Sequence, residues 1–178
     1  KPRFDIQPPG YPVETTNTMI MRDLNKCVLC GRCIRACNEV QVNEVLDFYL
    51  RGSRMKVGPA FDTDYKNSIC VFCGECMESC PTGAIINKQG RFAGRPWELQ
   101  KVRTTCSYCG VGCQLDLNVR DGKVVKVSSS REYGPPNDGS LCVKGRFAIE
   151  FIGDPDRLRT PLIREKGKLR EASWNEAL

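Results

Sequence analysis

Cys27-Val28-Leu29-Cys30-Gly31-Arg32-Cys33-Ile34-Arg35-Ala36-Cys37 spells C-x2-C-x2-C-x3-C, and the run from Cys70 through Cys73 and Cys76 to Cys80 repeats it and adds Pro81. A third group, Cys106, Cys109, Cys113 and Cys142, reads C-x2-C-x3-C-x28-C, so all 12 cysteines fall into sets of four. An iron-sulfur cubane is held by four thiolates, and the x2 spacings let one tight loop supply three of them. In the doubled motif the short helix after each loop carries the fourth cysteine to the other cluster. Cys27, Cys30, Cys33 and Cys80 are thereby assigned to cluster 1, and Cys37, Cys70, Cys73 and Cys76 to cluster 2. The third group is cluster 3, and the expected chemistry is electron transfer through three [4Fe-4S] clusters.

Two other uses of cysteine compete. A disulfide framework suits short secreted chains, but no signal-like segment is present and bridging such close neighbours would strain the bonds. Structural zinc uses C-x2-C pairs, yet in two separated pairs rather than in runs of four. The first run departs from the bacterial two-cluster pattern at one place, with Asn38 where proline is usual. Proline there ends the loop and binds no metal, so ligation is expected to survive the change.

The chain has 178 residues, 8% of them aromatic, which predicts small cores that depend on their metal centres. Its formal charge of +6 is roughly cancelled by three clusters at about −2 each with their thiolates, so it is no argument for nucleic acid. Arg32 and Arg35 read as a solvated helix face or as charges near cluster 1. No apolar run has membrane-spanning length, and a reducing, cytoplasmic location without membrane insertion is expected.

Four segments are predicted. Residues 1–17 form an extended N-terminal arm, proline-rich over 1–12, lying on a surface outside this sequence. Residues 18–96 hold the duplication: a strand at 18–22, a helix at 31–40, a second short helix at 74–79 and a strand at 84–87. The stretch between the halves, 41–69, has a local hairpin near 46–50 where a partner could dock. Glycine, arginine and proline over 90–96 mark a linker. Residues 97–160 form a β-rich unit, in which Leu115 to Val119 alternates, Asp121-Gly122 turns, and Val124 to Val127 returns. A loop over 128–139 crosses to Cys142, and 147–152 is read as a short helix or turn with its aromatic face inward. Residues 161–178 start another region, because Ser173-Trp174-Asn175-Glu176 has capping-box form close to Leu178. The class is α+β, a duplicated two-[4Fe-4S] ferredoxin-like domain followed by a small β-rich [4Fe-4S] domain.

The segments Thr104-Thr105-Cys106-Ser107-Tyr108-Cys109-Gly110-Val111-Gly112-Cys113 and Leu141-Cys142-Val143-Lys144-Gly145-Arg146-Phe147 resemble the N-terminal cluster segment of the molybdopterin oxidoreductase family. The order of a two-cluster module followed by this segment resembles the catalytic subunit of a cytosolic molybdenum or tungsten formate dehydrogenase. Residues 153–158, 160–162 and 172–178 are similar to that family's entry into its pterin-binding region. The resemblance implies three [4Fe-4S] clusters here and a Mo or W bis-molybdopterin guanine dinucleotide in the full-length protein. It implies Lys144 as the contact between cluster 3 and the pterin, and a hetero-oligomer with iron-sulfur, flavin/NAD(P) or hydrogenase-type subunits. Gly110 and Gly112 are read as backbone clearance rather than as a nucleotide loop, since a third glycine and a βαβ unit are missing.

This chain contains no histidine, whereas the resemblance places the metal-binding residue and its histidine well downstream. No catalytic residue is therefore assigned within it. Two other readings stay open: a stand-alone electron-transfer subunit, or the front of a related oxidoreductase with another substrate. Large subunits of NADH-dehydrogenase type fit less well, because they usually carry a histidine-ligated cluster and a preceding [2Fe-2S] domain.

Overall fold

The structure is a computed structural model and describes Arg3 and residues 10–178. Most of the residues assigned to the extended stretch 1–12, namely 1, 2 and 4–9, lie outside the described residues. Tyr11, which is described, rests on this chain itself: its N–H donates to Asn25 Oδ1 at 2.9 Å and its carbonyl accepts from Asn25 Nδ2 at 2.7 Å.

Strand β1 (Ile20–Arg22) leads into the first cysteine loop, then α1 (Arg32–Arg35) and directly a π-turn over Ala36–Val40. A hairpin of β2 (Asp47–Tyr49) and β3 (Lys56–Gly58) fills the stretch between the halves, with Asp47 opposite Gly58. After the second loop come α2 (Glu75–Glu78) and β4 (Ile85–Asn87), which pairs antiparallel with β1. The duplication is written in the backbone. Leu29 and Gly31 take φ 55 and 71, and their counterparts Phe72 and Gly74 take φ 52 and 81. Left-handed residues curl each loop tightly enough to point successive cysteines inward.

The halves differ where their sequences do. Pro81 follows Cys80, and α2 stops at Glu78. Asn38 follows Cys37, and the chain instead continues helically to Val40, with Gln41 N–H donating to Ala36 O and Asn38 Nδ2 to Leu46 O. Proline could not sit within such a turn without losing a donor. The asparagine thus extends the first helix and ties it to the hairpin segment.

The second unit is a three-stranded antiparallel sheet of β5 (Gln100–Thr105), β6 (Gln114–Arg120) and β7 (Lys123–Ser128). Asp121 and Gly122 both have positive φ, 51 and 74, as a two-residue hairpin turn with the twist of its strands requires. Strict alternation fails on β6, since Asp116 and Asn118 are buried along with Leu115. Both find partners: Tyr133 Oη donates to Asp116, and Asn118 Nδ2 to Ser128 Oγ at 2.9 Å. The loop over 128–139 covers that face. Helix α3 (Val143–Phe147), a hairpin of β8 (Leu162–Glu165) and β9 (Lys168–Glu171), and α4 (Trp174–Ala177) complete the α+β chain.

The stretch 90–96, read as a linker, packs on the second unit: a Cβ on Gly90 would lie 2.8 Å from Lys126 Cβ, and Arg120 Nη1 donates to Ala93 O. Two local expectations need correction. Phe147 faces inward, but Phe151 is 38% exposed, because the helix ends at Phe147 and the chain turns. Ser173 does cap α4, accepting from Glu176 N–H, yet Glu176 reaches Arg170 at 2.5 Å rather than closing a capping box.

Two cores result. The larger gathers Ile20, Leu46, Val57, Tyr65 and Ile85 around three buried cysteines, Cys33, Cys37 and Cys76, and takes in Phe147 from the second unit. Burying a side chain of that size is worth about 1.5–3 kcal/mol. The smaller core is Leu115, Val127 and Leu141, with Cys106 and Cys113 against it. Among the described residues no helix is long and apolar enough to cross a membrane.

Candidate metal centres

The structure brings together each set of four cysteines. Cys27, Cys30, Cys33 and Cys80 line one enclosed, mostly apolar cavity with Val28, Val57 and Ile85. Cys37, Cys70, Cys73 and Cys76 line another with Ile20, Leu46 and Tyr65. The crossing follows from geometry: α1 and its π-turn carry Cys37 away from the first loop, and α2 with Pro81 carries Cys80 back toward it. Cys113 feels the charges of Cys106, Cys109 and Cys142, so the third group also shares a neighbourhood, more open than the others.

A cluster fits these cavities better than a single ion. Sulfurs on one zinc ion lie about 2.3 Å from it, and among the described residues no three Cys, His, Asp or Glu side chains gather that way. Four sulfurs spaced around an apolar hollow suit a larger body with one corner for each thiolate. Backbone amides already face the sulfurs: Leu29 N–H donates to Cys27 Sγ and Phe72 N–H to Cys70 Sγ, both at 3.4 Å. These equivalent bonds, one per half, would stabilise thiolate charge.

Without metal, burial favours the protonated form of several of these thiols. Burial, reinforced by the neighbouring Cys27, Cys80 and Cys30, pushes Cys33 up to about 11. Burial likewise pushes Cys70 up to about 11 and Cys76 higher still. Cys80 is the exception: burial pushes it up, but the N–H groups of Ile85, Thr82 and Ala84 and the Thr82 hydroxyl outweigh that and lower it. Since the thiolate is the ligand, iron must displace protons. Cluster loading of the apo chain is expected to release protons and to proceed further at mildly alkaline than at neutral pH, measured by visible absorbance after anaerobic reconstitution.

Spacing gave no signal for several residues around the cavities. Tyr65, buried in the stretch between the halves, places its hydroxyl 3.8 Å from Cys76 Sγ. Behind it, Glu14 accepts from Tyr65 N–H at 2.7 Å and pairs with Arg22 at 2.7 Å, whose guanidinium lies 5.2 Å from the Tyr65 ring centre. Arg146 is fully buried and meets Cys73 O, Glu75 and Glu78. Of the residues singled out by sequence, Lys144 lies exposed on α3, two residues from Cys142. Arg32 and Arg35 are exposed on a polar groove of about 540 Å3 shared with Glu75, Glu78 and Arg131. Gly112 needs its positive φ of 71, whereas a Cβ on Gly110 would meet nothing within 4 Å.

Two family models match this chain. The 4Fe-4S dicluster domain covers residues 26–84, and the molybdopterin oxidoreductase Fe4S4 domain covers residues 99–154. A Rhizobium meliloti subunit of NADH-quinone oxidoreductase is 39% identical over 161 residues, 89% of this chain and 18% of its own length. The alpha subunit of the NADPH-Fe(3+) oxidoreductase of Geobacter sulfurreducens is 35% identical over 161 residues, 90% of this chain and 18% of its own. A Staphylococcus haemolyticus protein provisionally named a formate dehydrogenase is 32% identical over 195 residues, 88% of this chain and 20% of its own. The chain thus spans about a fifth of the length of these relatives.

Proposed function

Because this chain carries the iron-sulfur domains of a molybdopterin oxidoreductase N-terminal region, we propose that it conducts electrons through three [4Fe-4S] clusters between a Mo/W-pterin centre and a partner redox subunit. We place it at the front of a formate dehydrogenase or CO2 reductase catalytic chain. The observation that carries the electron-transfer reading is the spatial sorting of 12 cysteines into three groups of four.

Bound clusters would supply one-electron relays whose potentials span a wide range, about −700 to +450 mV, set by charge, hydrogen bonds to sulfur and exposure. This chain's residues act on those three levers. Val28, Val57 and Ile85 keep water from the first cavity, and Ile20 and Leu46 do so at the second. The Leu29 and Phe72 amides and the Tyr65 hydroxyl face the sulfurs. Cys30, Cys109 and Cys142 are exposed and leave edges of the first and third sites open to a partner. On the family resemblance, Lys144 is the contact toward the pterin, and its exposure leaves it accessible to one.

A second reading keeps the wire and changes its source. Similarity to a component of NADH-quinone oxidoreductase favours a related oxidoreductase chain that takes electrons from another donor. The whole protein, purified without oxygen, separates the two. It is expected to contain about twelve iron and twelve sulfide in this region and to lose visible absorbance when formate is added. Bleaching by NADH but not by formate supports the second reading. About three zinc in place of iron, with no broad visible absorbance, rejects both.

A further inference from the structure

Helix α3 begins beside Cys142, and its residues address different neighbours. Lys144 is exposed. Gly145 lies so close to the third cysteine group that a Cβ there would be 3.4 Å from Cys106 Sγ. Arg146 points the other way, into the first unit, and Phe147 fills that unit's core.

Arg146 has no solvent exposure. Its Nε donates to the Cys73 carbonyl at 2.6 Å and its Nη2 to Glu75 Oε1 at 2.6 Å. Nη1 lies 3.1 Å from Glu78 Oε1, at ion-pair distance but outside hydrogen-bond alignment. The second cysteine loop is shaped around this side chain. Gly74, between Cys73 and Glu75, has φ +81, and a Cβ on it would fall 2.3 Å from Arg146 Cδ. A guanidinium pressed so closely on the backbone of one cysteine loop, from a helix whose backbone presses on another, joins the two metal sites by a few covalent bonds.

We propose that Arg146 is a positioning residue between the second and third cysteine groups: it fixes their separation and sets a buried positive charge beside Cys73, raising the reduction potential of the cluster held by Cys37, Cys70, Cys73 and Cys76. The proposal rests on the three-cluster reading above. Its physical basis is that a fixed cation favours the more negative, reduced state of a nearby cluster. In a buried setting little solvent screens that charge. Glu75 and Glu78 oppose it, so the two signs can be tested against each other.

The test uses the full chain purified without oxygen, with iron analysis and an EPR-monitored redox titration. Arg146→Gln is expected to keep three clusters and lower one midpoint potential of the three. Glu75→Gln is expected to raise that same potential, since it removes the opposing charge. Arg146→Lys keeps the charge without the planar fork, so it should hold the potential near the parent value while weakening the magnetic coupling between the second and third clusters. A residue that merely supports the fold would move both glutamine variants the same way, or shift all three potentials together; either result overturns the proposal. Unchanged potentials in iron-replete Arg146→Gln also overturn it. If Arg146→Gln fails to load, the opposite-sign requirement transfers to Glu75→Gln, where an unmoved or lowered potential is the overturning result. A parent chain without three clusters refutes the underlying three-cluster reading instead, and the iron analysis shows that first.

Discussion

Cys142→Ala is expected to purify with about eight iron instead of about twelve, with the two remaining clusters spectroscopically unchanged. Three ligands of the third group come from one turn between Cys106 and Cys113, closed by the Cys106 N–H to Cys113 O bond of 2.8 Å. The fourth arrives only after the sheet and the covering loop, at the N-cap of α3. Removing its sulfur leaves three thiolates and an open iron corner. The backbone role of residue 142 survives, because Arg146 N–H donates to its carbonyl at 3.1 Å. Arg146 and Phe147 therefore stay docked in the first unit, and the other eight cysteines keep their surroundings. Iron and sulfide analysis with EPR of the reduced sample measures the outcome. Loss of all three clusters would show instead that the two units fold only as one metal-dependent body.

The grouping of the cysteines was legible because a cysteine loop is a local object. Three ligands within seven residues dictate a turn, and the turn dictates left-handed residues at Leu29 and Gly31 and again at Phe72 and Gly74. The β6–β7 hairpin was legible for the same reason, through Asp121-Gly122. Longer-range features left no such trace. Strand β5, Gln-Lys-Val-Arg-Thr-Thr, is an exposed edge held by pairing with β6, so its sequence carries little apolar alternation. Nothing local in the sequence separates Arg146 from Lys144, and only the position of the second loop makes one buried and the other exposed. Asp116 and Asn118 looked outward because nothing in β6 says that Tyr133 and Ser128 will cover them. The π-turn was hidden in Asn38, a residue read only as a missing proline.

The same shortness that makes the loops readable makes the fold dependent on what they bind. Among the described residues the longest helical run, Arg32 to Val40, falls below the roughly 12 residues that sustain an isolated helix in water. The β1–β4 and β2–β3 pairs have three residues per strand. Each element is held by its neighbours, and α1, α2 and α3 also by cysteines within or beside them. Cys33, Cys37, Cys73 and Cys76 are themselves core residues, so a bound cluster would be part of the packing rather than a cargo laid on it.

Crossed ligation, as proposed, would make each cluster of the first unit a staple between its halves, and double variants can reveal the crossing. Cys37→Ala and Cys76→Ala remove ligands proposed for one cluster, although Cys37 is nearer in sequence to Cys33. Each single variant is expected to lose about four iron, and the pair together still only about four, because the second change acts on a site already lost. Cys37→Ala with Cys33→Ala is expected to lose about eight, since the two act on different sites. An uncrossed arrangement reverses the pattern, with Cys37 and Cys33 redundant and Cys37 and Cys76 additive. The expected result follows from where the helices end: α1 and its π-turn deliver Cys37 to the hollow lined by Cys70, Cys73 and Cys76, while the chain leaves α2 at Glu78 and places Cys80, before Pro81, with Cys27, Cys30 and Cys33. Losing either cluster therefore unfastens both halves at once, and a single cysteine variant in either half should lower the thermal midpoint of the whole first unit.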